Sequence, residues 1–462
     1  MRHDKRGLEL STSSGDAARL IDEAVGDFLN YGVGASGKLK AALEADPSCA
    51  MAQCFRAYFM MMLEMRSVLP KVQQSASDLA ARGASLNRRE QLHVQALAAW
   101  AAGDIMNACA AWETIIAEYP RDLLAVKLHH TIAFYTGRSQ VMRSVLEGAL
   151  GEWDETVPGF GYIEGMYAYA LEECGDYANA EKFGRSAVAR NKGDLWAVHS
   201  VAHVLEMQAR TKEGLSWLPY SQADWKAKNP FKAHVWWHGA LFAMAAGDFA
   251  RVLEIYDNEL SAVNTETYVD VSNQASLLKR LALAGVDVGD RWHRLATYSK
   301  TRIHDHMLPF RDLHFGLALA ADGDISGARE HIASMRTFAE TKSDWQTTST
   351  LGVVVPLCEA LVLCAEGRHD KAAELLWPLR HDFASIGGSH AQRDLFAHIL
   401  CDAAVRGGKL ATARSLLSER VRTRSTRRDN WTAYAGVLDS LGERAAADTA
   451  RSNAEAAIDA AA

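Results

Sequence analysis

Proline is scarce in this chain, at nine of 462 residues, and that scarcity favours helix nearly throughout. The seven cysteines are odd in number and form no CxxC pair. Most sit inside apolar helical runs, where cysteine acts as a small hydrophobe, so a reducing compartment is the natural reading. No long basic block accompanies the net charge of −7, from 50 Lys and Arg against 57 Asp and Glu. Neither nucleic acid nor an anionic membrane is therefore an expected partner. The opening stretch MRHDKRGLELSTSSGD lacks the apolar core of a signal peptide. The longest apolar run, Leu351 to Ala365, is broken by Pro356 and Glu359 and is too short to span a bilayer. The expectation is a soluble, cytoplasmic protein. Also missing are GxGxxG, P-loop, GxSxG and cysteine-based triad motifs, which leaves nucleotide binding and covalent hydrolysis without a signature.

What is present is a period. Gly103, Gly137, Gly175, Ala209, Gly247, Gly285, Gly323, Gly367 and Gly407 follow one another at steps of 34, 38, 34, 38, 38, 38, 44 and 40 residues. Each lies after an apolar helical stretch, usually before a short polar residue, as in Gly103-Asp104, Gly175-Asp176, Gly247-Asp248 and Gly323-Asp324. Small residues recur seven before and five after the turn: Ala96 and Ala108, Ala168 and Ala180, Ala240 and Val252. Trp112 and Tyr256 stand nine after it. This pattern predicts an all-α fold, a right-handed α-solenoid of tetratricopeptide-like helix-turn-helix repeats. A flexible lead over 1–15 and a single solenoid domain over 16–462 are expected, with a candidate site region at 194–314 plus 388–394. Ten-residue loops such as Ser221–Lys232 and His381–Ser389 interrupt the regularity.

The chemistry gathers on a few first helices of these units. His199, His203 and Glu206 stand at i, i+4 and i+7, so they share one helical face. His234 and His238 repeat the i, i+4 pairing 35 residues on, with Trp236 and Trp237 between them. His314 lies nine residues before Gly323, as His238 lies nine before Gly247, and Asp312 stands two residues ahead of it. Since first helices of such repeats line the concave binding face, a His-, Trp- and Asp-lined groove is expected. Two histidine pairs and a carboxylate suit a divalent transition metal, with His199, His203, His238 and His314 as candidate ligands. Yet HExxH is absent, and His203-x-x-Glu206 reverses the ExxH order of di-iron sites. The bland alternative is a polar packing network. For His129, His130, His293, His331, His369 and His381 a surface or packing role is expected, and packing also for Trp196, Trp236 and Trp237.

At these residues the chain resembles the tetratricopeptide repeat protein 38 family, known in animals and bacteria, and looks like a bacterial member. The resemblance rests on Trp196-Ala-Val-His199-Ser-Val-Ala-His203-Val-Leu-Glu206-Met-Gln, supported by Trp237-His238, Tyr256-Asp257-Asn258, Asp312-Leu-His314 and Gly388-Ser-His-Ala-Gln392-Arg393-Asp394. These blocks span about residues 90–420. The likeness implies the same helical fold, and it groups His199, His203, Glu206, His238, Asp312, His314, Gln392, Arg393 and Asp394 into one motif set. Ala209 departs from it, standing where glycine is expected. Three functions stay open. One is binding of a small polar molecule or short peptide, with Arg393 as a carboxylate fork. Another is metal-assisted or acid–base catalysis with Glu206 or Asp312 as base. The last is a protein-interaction scaffold.

Overall fold

The computed structural model describes residues 1–225, 228–261 and 268–461. Helix pairs succeed one another along the chain, from Gly15–Leu29 to Arg444–Ala461. The period works by a two-residue device. Gly103, Gly175, Gly247 and Gly323 adopt positive φ, between 79° and 84°, which ends one helix without a Cβ penalty. The aspartate that follows caps the next helix: Asp104, Asp176, Asp248 and Asp324 accept from the backbone N–H three residues on. Between the paired helices, Ala96, Ala108, Ala168, Ala180, Ala240 and Val252 are wholly buried, as their spacing predicts. Small side chains there let the two backbones approach; Trp112 packs back on Trp100 and Tyr58, while Tyr256 reaches forward to Gln274.

Two turn positions refine the sequence reading. Ala209 keeps the left-handed turn at φ 56° despite its side chain. At the last step the residue with positive φ is Gly408, not Gly407. Gly407 is required for another reason, since a Cβ there would meet the Asp370 backbone nitrogen at 2.4 Å.

The chain's contacts group into two compact units: Met1–Val201 with Ser221–Lys232, and Ala202–Tyr220 with Ala233–Ala462. In the first, the lead expected to be flexible is tied down. Arg2–His3 pairs antiparallel with Glu9–Leu10. Asp22 accepts from Lys5 N at 2.9 Å and pairs with Arg6 at 3.1 Å, and Arg89 holds the Glu9 carbonyl at 2.8 Å. Of the loop expected at 221–232, Ser221–Trp225 continues the helix Thr211–Trp225, while 226–227 lie outside the described residues. In the second unit the apolar run Leu351–Ala365 belongs to a longer helical stretch, Trp345–Ala365. At 21 residues that stretch is long and apolar enough to cross a membrane by length and composition. Here Val354, Val355, Leu357, Cys358 and Ala360 bury it in the protein core.

Candidate functional site

In the second unit three histidines converge. His203 comes from the helix Leu195–Met207, and His234 and His238 from Phe231–Ala245. Their i, i+4 spacing puts the latter two on one face. The His203 and His238 rings lie 4.4 Å apart between centroids, and His234 and His238 lie 5.1 Å apart. One nitrogen from each of the three rings falls within 4.8 Å of the others. All three side chains are buried. Burial, the largest influence on each, pushes all three below the usual histidine range, His234 to about 4, so the rings are neutral at pH 7. Two outer contacts fix which nitrogen holds the proton. His238 Nδ1 donates to Glu206 Oε2 at 3.1 Å, and His234 Nδ1 donates to Asn273 Oδ1 at 2.8 Å. In a neutral ring this leaves Nε2 with the lone pair.

Beside them lies a buried guanidinium that the sequence reading missed. Arg280 rests over the Trp237 ring at 6.0 Å and donates from Nη2 to the Ala391 carbonyl at 2.5 Å. Trp237 is itself anchored to Ser276 Oγ at 2.9 Å. Among the described residues no carboxylate comes within ion-pair distance of Arg280, and its Nε has no hydrogen-bond partner. Burial pulls it down to about 10, against the weaker pull of Asp394 and Glu206. Those carboxylates are engaged elsewhere. Asp394 pairs with Arg420 at 2.9 Å, Arg424 at 3.0 Å and His398 at 3.4 Å, which holds it well below the carboxylate range despite its burial. Asp429 pairs with Arg427 at 3.3 Å. Arg280 is thus left without a carboxylate partner of its own among the described residues.

The other expected site residues separate. Gln392 completes a capping box with Ser389, accepting from its N–H at 2.9 Å. Arg393, expected as a fork for a carboxylate, donates to the Gly388 carbonyl and meets His390 Nδ1 at 3.3 Å. His314 bonds the Phe310 carbonyl at 2.7 Å and packs on Phe310 and Phe396, outside the three-ring group. Asp312 joins a different cluster, with His306 at 3.2 Å and His331 at 3.9 Å. Here the ring nitrogens are taken: His331 faces the Ile303 and Asp312 carbonyls at 3.1 and 2.9 Å, and His306 faces Asp312 and Ser334. The structure thus groups Asp312 with His306 and His331 rather than with the three-histidine group.

His199 lies one turn before His203 but falls in the first unit, where it stacks on Tyr169 at 5.3 Å and meets Phe231 edge-on. Around it is a second group absent from the sequence reading. Lys127, almost wholly buried, stands 3.9 Å above the Trp196 ring and donates to the Tyr31 hydroxyl at 2.9 Å. Tyr31 stacks on Phe231 at 4.2 Å and holds φ 53°, rare for an aromatic residue. Burial lowers Lys127 to about 7 and raises Asp194 to about 6. His130 meets Trp196 edge-on at 5.3 Å, and among the described residues neither of its ring nitrogens has a hydrogen-bond partner. The signal for this group was one lysine inside the apolar helix Leu123–Tyr135.

The fold is that of an all-α protein of tetratricopeptide-like helix-turn-helix repeats. No family model matches the chain. Among solved structures it is similar to a human IFIT1 dimer with PPP-AAAA, at 13% identity over 84% of this chain and 94% of that one, TM-score 0.36. It is similar also to the APC/C hetero-tetramer Cut9-Hcn1, at 11% identity over 96% and 93%, TM-score 0.37.

Proposed function

We propose that this protein is a member of the tetratricopeptide repeat protein 38 family that binds a small molecule or short peptide through an anionic group, a carboxylate or phosphate, held by Arg280. The observation that carries this is the buried Arg280 guanidinium with no carboxylate of the described residues within ion-pair distance. A buried charge without a counter-charge is costly, and a bound anion offsets that cost with charge-assisted hydrogen bonds. Trp237 supplies an apolar wall beneath the guanidinium, and His238 and His314 lie close enough for its charge to depress both. A scaffold gripping an extended protein segment needs no such buried charge.

Thermal-shift titration of the full chain with succinate and with inorganic phosphate tests this. The wild type is expected to gain stability with at least one of them, and Arg280→Met, which keeps the apolar stem, to gain none. Equal shifts in both proteins would sink the assignment.

A further inference from the structure

We propose that His203, His234 and His238 form a binding site for a divalent transition metal of the zinc class, with Glu206 and Asn273 as the outer partners that orient two of the rings. The argument is geometric. One nitrogen from each ring already lies within 4.8 Å of the other two. Tetrahedral zinc with Zn–N bonds of about 2.0–2.1 Å needs nitrogens roughly 3.4 Å apart. Small side-chain rotations span that difference. A metal-binding imidazole commonly donates its other N–H to a carboxylate or carbonyl, which fixes the tautomer and aims the lone pair at the ion. His238 does so to Glu206 and His234 to Asn273, both through Nδ1.

The His306–Asp312–His331 cluster shows what the alternative looks like. It too brings three potential ligands within 4.8 Å, but both ring nitrogens of each histidine are turned to protein acceptors or hydroxyls. Around His238, Asn273 and Glu206 each take the Nδ1 side of one ring, and one nitrogen of each of the three rings lies within 4.8 Å of the others. The same comparison favours nitrogen-preferring metals such as zinc over calcium or magnesium, which want oxygen ligands. Three protein ligands leave a fourth position for water or for a ligand atom. This assignment does not rest on anion binding at Arg280.

The experiment uses the untagged full-length chain, stripped with a chelator and titrated with zinc against a chromogenic competitor, then loaded with cobalt(II) for its visible spectrum. One zinc per chain is expected, with intense cobalt bands of low coordination number. His203→Ala and His238→Ala should lose binding at least 100-fold, while Glu206→Gln and Asn273→Ala weaken it about 10- to 100-fold. His293→Ala, at an exposed position, should bind like wild type. If His238→Ala does not fold, His238→Gln keeps a polar side chain of similar reach, and circular dichroism checks its helicity. Arg280→Met should retain zinc even where it abolishes the response to succinate, so the two proposals fail separately. No zinc bound by folded wild type, or unchanged affinity in the folded His203 and His238 variants, overturns the site.

Discussion

Each unit buries a cation among aromatic rings, but the first uses Lys127 and the second Arg280. The choice decides what the surroundings must supply. A buried lysine escapes its desolvation by giving up the proton, and Lys127 is lowered to about 7 by burial while it donates to the Tyr31 hydroxyl. Arginine cannot do that over any ordinary pH range. Even lowered to about 10, Arg280 keeps its charge, while Asp394 and Glu206 act on it only from beyond ion-pair distance. The first unit meets buried charge by titration; the second keeps a charged guanidinium, for which the proposed bound anion is the counter-charge.

The strongest challenge to this contrast is Asp394→Asn, which strips Arg420 and Arg424 of their counter-charge. Breaking such a buried pair is expected to cost about 3–5 kcal/mol. An unchanged urea midpoint would mean the arginines of the second unit do not depend on their carboxylates. Next in size is acid. His234 and His314 are held at about 4, below the unfolded value near 6.5, so their contribution is present above pH 6.5 and is lost as pH falls toward 4. Each is worth up to about 3 kcal/mol, and hydrogen exchange in the helix Phe231–Ala245 should accelerate over that window. Flat protection would contradict it.

In the first unit the signs differ. Asp194 is raised to about 6, so its contribution is full below about pH 4 and lost as pH rises through 6. Lys127, depressed to about 7, contributes above its unfolded value near 10.5, and that contribution is lost as pH falls through 7. Lys127→Met should therefore stabilise the protein by about 2–3 kcal/mol at pH 6 and hardly at pH 10. A gain that did not vary with pH would point to better packing rather than a removed charge. The smallest effect expected is at Ala209→Gly, where relief of the left-handed backbone should add about 0.5–1 kcal/mol. A loss of stability there would show that the alanine methyl packs usefully in its turn.

Much of the repeat was legible because its residues do local work. Gly-Asp pairs stop one helix and start the next, and the small residues at fixed offsets are the points of closest approach. His203, His234, Glu206 and His238 were legible for a similar reason, since helical spacing and repeat length together put them on neighbouring faces. Arg280 and Asn273 were not, because nothing local marks them, and Lys127 left only the cue of one lysine inside the apolar helix Leu123–Tyr135. Each becomes informative only when the fold shows what it lacks or what it touches. Asp312 misled because it stands two residues from His314, a spacing that turns the two side chains to different sides of the helix. The Gly388–Asp394 block was read as chemistry, whereas Gln392 and Arg393 mainly secure the start of a helix.

Two short π turns, Tyr256–Leu260 and Thr350–Val354, bear on how repeats of this array can differ in length. A π turn closes its hydrogen bond around one residue more than an α turn does. It is therefore what an inserted residue looks like once a helix has absorbed it without a loop. The second falls in the longest step, the 44 residues from Gly323 to Gly367, and the first between Gly247 and Gly285. Downstream of such a turn the helix faces are re-indexed by about 100°, so a gain of one residue is contained within a single helix. Repeats of unequal length can then keep their turns, and the side chains they present, in phase.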